Sequence, residues 1–535
     1  GHPQDFIYTF LFFILYTGIR LATLSNWTSD KKLSFIIGQL SLITGIPFLL
    51  ASPQLLPTIE LFKYSSRVAH DFQHVVQTML VQWWQLPMLF VQDFFGNPAT
   101  RSYYAPDTYV GKTLSIGAAG FILTIITIFQ KNRSWHNKFF LWTSGIILLL
   151  TVNTPFSQLF YRVPLPILST GTPTRILFLL AFALAILAGF GFDYVRSVHW
   201  KKLIPPVGLV LGILTLLWLV AFIHPTIGTM ILNEMTAKRA LTVITAVTAC
   251  MILIFLLKNI KRSLVYACII VIVAELFYSV IKFNPFVPAS FIYPPHDVLT
   301  FLQTHAGINR YWGYGTARTE SNVNVQYKLF SADGTDPLNL SWYNRFIQSS
   351  NDGSIAQRFT RSTRSDVAIA PGYGEGDLPS NAYRLRIMDL LGVQYVLDRI
   401  DNPKDNYTFA SDHFKAVFSS NDGYTVYENI LALPRAFLVD EFKTYHNDTE
   451  FERIFFDPDF DIKKTILLPA SDNAPTVESA KNKEVHFTSY TPNDVRLATS
   501  SDARQLLFLS DTYAPGWYAT VDNNPTRIYV ADYAF

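Results

Sequence analysis

Apolar residues crowd the first half of the chain in long runs, whereas beyond about Phe283 short apolar runs alternate with polar and charged loops. Only a helix satisfies its own backbone groups in hydrocarbon, and one that spans a bilayer needs roughly 17 to 25 mostly apolar residues. Eight segments fit this pattern: Phe6–Thr23, Leu33–Ala51, Val110–Phe129, Phe139–Val152, Ile176–Val195, Leu203–Ile223, Leu241–Leu257 and Ser263–Ile281. The fold class expected is therefore a polytopic α-helical membrane protein of about eight transmembrane helices, followed by a mixed α/β domain ending in β-sandwich-like strands. The domain boundaries predicted are 1–282 and 283–535.

Lys and Arg in short loops mark the cytoplasmic side of a membrane protein. Here they fall in every second loop: Lys31 and Lys32; Lys131, Arg133 and Lys138; Arg196, Lys201 and Lys202; Lys258, Lys261 and Arg262. That bias places Gly1 outside, together with everything after Lys282. The long outer loop at 52–109 is too polar to span and too apolar to hang free. Within it Phe72, Val75, Val76, Met79, Leu80 and Trp83 recur with helical spacing opposite Gln73, His74, Gln77, Thr78 and Gln82, which predicts an amphipathic helix lying on the membrane. Pro87 is expected to end or bend it.

In the second part the pattern predicts a helix at Asp297–Thr304 and a strand at Arg310–Tyr314. It continues with Leu385–Leu391 as helix and Val393–Leu397 as strand, then a hairpin pairing Phe414–Phe418 with Tyr424–Tyr427 across Asn421-Asp422-Gly423. Alternation dominates from Glu484, as in Leu506–Leu509, Trp517–Val521 and Arg527–Val530. No internal repeat or low-complexity tract is visible.

Composition agrees with the bilayer as solvent, since 50% of residues are hydrophobic, only 16% are charged and the mean hydropathy is +0.22. A net charge of +3, with no basic stripe, gives no argument for a nucleic-acid partner. Both cysteines, Cys250 and Cys268, fall inside apolar runs, so the polar domain has no internal disulfide to rely on. There is no P-loop, no G-x-S-x-G elbow and no C-x-x-C pair. The glycine clusters at Gly313-Tyr314-Gly315 and Gly372-Tyr373-Gly374-Glu375-Gly376 fit turns rather than a dinucleotide fingerprint.

His70-Asp71-Phe72-Gln73-His74 spaces two imidazoles as in H-E-x-x-H zinc proteases, but with Asp where that chemistry needs Glu as base. A membrane zinc protease is thus a remote reading beside that of a helix polar face, and no metal or cofactor is assigned. Glu275 sits inside the last span, where an ionisable group is either functional or paired with a polar group on a neighbouring helix. Asp193 reads as an interfacial partner of Arg196. Lys63, Arg67, His70, Arg101, Arg162 and Arg175 all fall at the outer interface, where phosphate is the natural ligand for converging guanidiniums. Arg175, directly after Gly171-Thr172-Pro173-Thr174, is the first choice.

Several segments together resemble the YfhO-like family of bacterial membrane proteins, relatives of the GT-C polytopic glycosyltransferases. They are Gly1-His2-Pro3-Gln4, Gln54-Leu55-Leu56-Pro57-Thr58-Ile59-Glu60, Thr154-Pro155 with Leu159-Phe160-Tyr161, and Pro173-Thr174-Arg175 running into Phe182–Gly191. Beyond the membrane part they continue in Leu390–Leu397, Tyr427-Glu428-Asn429, Leu433-Pro434-Arg435-Ala436-Phe437 and Pro515-Gly516-Trp517. The resemblance covers nearly the whole chain. It implies a multi-pass protein of the bacterial plasma membrane with an extracytoplasmic C-terminal domain. The implied activity is transfer of a sugar from a polyprenyl-phosphate carrier to a cell-envelope glycopolymer such as a teichoic or lipoteichoic acid. The substrate-binding residues it suggests are His2, Gln4, Arg101, Arg175 and Glu275. It further implies that the chain is cut at both ends, with the catalytic acid upstream of Gly1 and a last span beyond Phe535. A non-enzymatic flippase or transporter of lipid-linked sugar, or an envelope scaffold, is the alternative.

Overall fold

The structure is a computed structural model that describes residues 3–22, 30–67, 69–105, 108–113, 115–163, 168–223, 226–227, 230–256, 261–283, 286–359, 365–372, 377–404, 407–470 and 475–535. The chain divides into two compact units, one of Gly1–Ile43 with Ala69–Val287 and one of Thr44–Val68 with Pro288–Phe535.

Among the described residues each predicted apolar run overlaps a helix: α1 (Pro3–Ala22), α2 (Asp30–Tyr64), α3 (Ala118–Ile128), α4 (Trp135–Thr151), α5 (Leu177–Ser197), α6 (Ile204–Ile223), α7 (Glu234–Leu256) and α8 (Lys261–Phe283). Among the described residues five stretches are long and apolar enough to cross a bilayer, namely Ile37–Tyr64, Pro173–Ser197, Trp200–Ile223, Glu234–Leu256 and Val265–Phe283. Helix α6 is apolar all round and leaves Leu209, Leu216, Leu219 and Phe222 exposed, a surface suited to lipid rather than water.

Three boundaries depart from expectation. Helix α2 runs through Pro47, Pro53 and Pro57 to Tyr64, so residues 52–64 are helical and the outer loop begins later than expected. Each proline removes one backbone donor, a local cost that the continuing apolar helix tolerates. The segment expected to form the third span is a short turn at Val110–Lys112 followed, beyond Gly117 at φ +84°, by the eleven-residue α3. Helix α4 starts four residues early, at Trp135, because the Ser134 side chain caps it by accepting the Asn137 N–H.

The amphipathic helix predicted over residues 72–83 forms only in part, ending at Met79. Residues 72–74 make one α-turn, Val75–Met79 a π-turn, and Leu80 is extended. The apolar residues Val75, Met79, Leu80 and Val81 are buried, and the Val81 N–H bonds the Thr151 carbonyl at the end of α4. Packing against the bundle therefore breaks the helix that periodicity alone favours.

Helix α3 fills the centre of the first unit with Ala118, Ala119, Ile122, Leu123 and Ile126 buried. It crosses α5 closely at Gly191, where any Cβ would enter the Leu123 carbonyl oxygen. Thr124 and Thr127 donate from α3 to the Leu184 and Leu187 carbonyls at 3.0 and 2.6 Å. Small residues and interhelical hydroxyl bonds hold helices together where hydrophobicity gives no preference for a neighbouring helix over lipid.

The second unit is a mixed α/β fold. Its central five-stranded sheet has the order Phe330–Ser331, Arg310–Gly313, Val393–Arg399, Tyr424–Asn429, Phe414–Ser419, parallel across the first three strands and antiparallel across the last three. The hairpin turns at Gly423, whose φ is +89°. Helices Asp297–His305 and Ala382–Leu390 stand where they are predicted. The C-terminal end is strand-rich, but its strands pair two by two: Ala436–Val439 with Leu506–Leu509, Lys483–Thr491 with Asp494–Ser501, and Ala519–Val521 with Asn524–Thr526. Glu441–Tyr445 pairs with Thr465–Pro469 in parallel, and Arg527–Val530, expected as a strand, is irregular.

Candidate functional site

Two polar constellations lie in the first unit. The first joins the start of α1 to the loop before α5. Gln4 is buried and its amide donates to the Tyr8 hydroxyl at 2.9 Å and the Thr172 carbonyl at 3.0 Å. Gly171 makes room for it, since a Cβ there would overlap the Gln4 amide. One turn on, Arg175 lies 3.9 Å from the Asp5 carboxylate, and both side chains are about two-fifths exposed, at 41% and 43%. The sequence-predicted pair Gln4 and Arg175 is thus brought together, and Asp5 joins it. Asp5 was legible only as a lone acid in the first turn of an apolar helix. His2 lies outside the described residues.

The second constellation is a cavity of about 260 Å³ between α7, α8 and the 90–117 segment. Asp93 on its wall receives Lys282 Nζ at 2.7 Å, the Tyr109 hydroxyl at 2.8 Å and the Asn97 amide at 3.0 Å. Burial, with the Asp93 carboxylate next in effect, holds the Tyr109 phenol well above its usual range, so Tyr109 stays a donor. Glu275 lines the same cavity, and its two oxygens accept the N–H groups of Ala118 and Ala119 at 2.5 and 3.0 Å. It therefore caps α3 from another helix, where the first-turn N–H groups have no intrahelical partner and the dipole favours a carboxylate. Gly117 keeps the approach open, since a Cβ there would meet the carboxylate at 3.1 Å.

Arg101 adopts φ +55° after the Pro98–Thr100 turn and is exposed, between Thr100 and Ser102 of the cavity wall. Arg162 packs over the Phe72 ring with its guanidinium carbon 5.4 Å from the centroid. Lys63 and Arg67 belong to the second unit.

In the His70-Asp71-Phe72-Gln73-His74 segment, His70 precedes the helix, Asp71 caps it by accepting the His74 N–H at 3.1 Å, and the imidazole centroids lie 6.0 Å apart. Among the described residues no group of three metal-ligating side chains assembles. In the second unit, Tyr311 and Trp312 are core residues and Trp342 donates its indole N–H to the Tyr513 carbonyl at 2.9 Å, so of the aromatic residues Tyr311, Trp312, Trp342 and Trp517 only the last is well exposed. No protein-family model, curated protein or solved structure matches the chain.

Proposed function

We propose that the chain is an eight-span membrane glycosyltransferase of GT-C type that takes a sugar from a polyprenyl-phosphate carrier and adds it to a cell-envelope glycopolymer outside the membrane. The observation that carries this reading is the meeting of Gln4, Asp5 and Tyr8 with Thr172 and Arg175. Helices α1 and α5 both start at this cluster and lead in sequence toward segments rich in Lys and Arg, a bias that supports an outer position for the cluster under the positive-inside rule. An exposed guanidinium at the head of a membrane helix suits the phosphate of a lipid carrier. The nearby carboxylate is the group an acceptor hydroxyl needs to lose its proton. The strand-rich second unit, taken by itself, is a polar domain of the kind a glycopolymer acceptor would need.

The test is transfer from synthetic polyprenyl-phosphate sugars to envelope acceptor by the full-length protein in detergent. Wild-type transfer that falls at least tenfold in Arg175→Ala and Asp5→Asn is expected. A folded protein that transfers nothing from several donors, yet moves lipid-linked sugar across vesicles, would establish the carrier reading instead.

A further inference from the structure

The cavity beside Glu275 is distinct from the Gln4–Arg175 cluster and has a chemistry of its own. Helices α7 and α8 face it with the same spacing: Thr236, Arg239, Ala240 and Val243 from one, and Glu275, Tyr278, Ser279 and Lys282 from the other. Asp93 and Glu275 balance Arg239 and Lys282, so the lining is formally neutral and selects neither a phosphate nor a cation. Lys282 is already committed to Asp93 at 2.7 Å, and the Glu275 carboxylate stands in the wall against any anion.

Among the described residues the side chains of Thr236, Arg239, Tyr278 and Ser279 make no hydrogen bond, although all four line the cavity. A cavity edged by two hydroxyls, a phenol and a guanidinium, with carboxylate lone pairs behind them, offers both donors and acceptors. Such a wall fits a ligand that is itself both donor and acceptor at many points. At about 260 Å³ the space is slightly below the drug-sized range of about 300 to 1,000 Å³, the scale of one ring rather than a chain.

We infer that this cavity binds a neutral, polyhydroxylated ring of the size of one monosaccharide, with Arg239, Tyr278 and Ser279 as its hydrogen-bonding residues. The inference deepens the proposed transfer reaction, in which this cavity holds a sugar unit apart from the lipid phosphate. Binding is nevertheless measured without turnover, so the two readings fail separately.

The experiment is saturation-transfer difference NMR on the full chain in detergent with D-glucose, D-galactose and N-acetyl-D-glucosamine in turn, alongside phosphorus line broadening of inorganic phosphate. At least one sugar should receive saturation, and Thr236→Trp and Ser279→Trp, which fill the cavity with an indole, should abolish it. Arg239→Ala, at an exposed position where folding is not at stake, should weaken the sugar about tenfold, the value of one charge-assisted hydrogen bond. Wild type that saturates none of the three sugars, a signal that survives both filling variants, or broadening of phosphate without sugar binding would each overturn the assignment. Sugar binding without transfer would sink the transferase reading alone.

Discussion

Removing the Glu275 carboxylate is the sharpest test of how the helical unit is built. Ala118 and Ala119 are fully buried, and both of their N–H groups are satisfied by Glu275 from α8. In Glu275→Ala both donors lose that acceptor. Each buried donor left unmet costs about 1 to 3 kcal/mol, so the variant should lose about 2 to 6 kcal/mol, less whatever water from the adjoining cavity returns. Glu275→Gln keeps one acceptor oxygen and gives up the charge that complements the α3 dipole, so its loss should be about 1 to 2 kcal/mol. Thermal unfolding of the purified protein in one detergent, followed by tryptophan fluorescence, ranks the three chains. The expected order of midpoints is wild type, Gln, Ala. If Ala melts with wild type while sugar binding or transfer is lost, Glu275 serves a ligand and the capping argument is wrong.

Three further outcomes follow from particular contacts. Gly191→Ala drives a methyl into the Leu123 carbonyl and should separate α3 from α5, breaking the Thr124 and Thr127 bonds at a cost of about 1 to 3 kcal/mol, read as a lower midpoint in the same assay. Gly171→Ala should expel the Gln4 amide from its pocket and lower transfer as Arg175→Ala does, whereas retention of full activity would detach Gln4 from the site. Asp532 is buried and accepts the Leu467 N–H at 2.7 Å, and burial pushes its carboxyl up to about 7. Its folded-state proton affinity exceeds the unfolded one, so the stability that Asp532 contributes is full below about pH 4 and is lost as pH rises through about 7, by at most about 4 kcal/mol. Asp532→Asn keeps the acceptor and should remove that slope in melts of the full chain between pH 4.5 and 7.5, which a pH-independent wild type would contradict.

The local pattern by itself determined that a helix stands within each apolar run of the first half, though not where α2, α3 and α4 begin or end, because an apolar run in a bilayer has no other way to satisfy its backbone. It likewise determined the Tyr424–Asn429 hairpin and the Ala382–Leu390 helix leading into the Val393–Arg399 strand, where periodicity, turn residues and burial agree. What it misjudged are places where distant residues compete with local preference. Residues 72–83 have the spacing of an amphipathic helix, yet Val81 pairs with α4, and that pairing breaks the helix. Composition favours a core place for aromatics such as Tyr311 and Trp312, and the sheet buries both, whereas Trp517 stays exposed.

The candidate sites divide in the same way. Gln4 and Arg175 were visible as polar residues at the mouths of apolar helices, but Asp5 joined them only when α1 and the 171–176 loop met. Glu275 was conspicuous as an acid inside a span, while the identity of its partner, the bare N-terminus of α3, depended on a helix 156 residues earlier in the chain. Asp93, Arg239 and Lys282 carry no signal in sequence because each is an ordinary charge near a helix end. Their meaning is a matter of which faces of α7 and α8 turn toward one another, a choice made by packing and not by any residue alone.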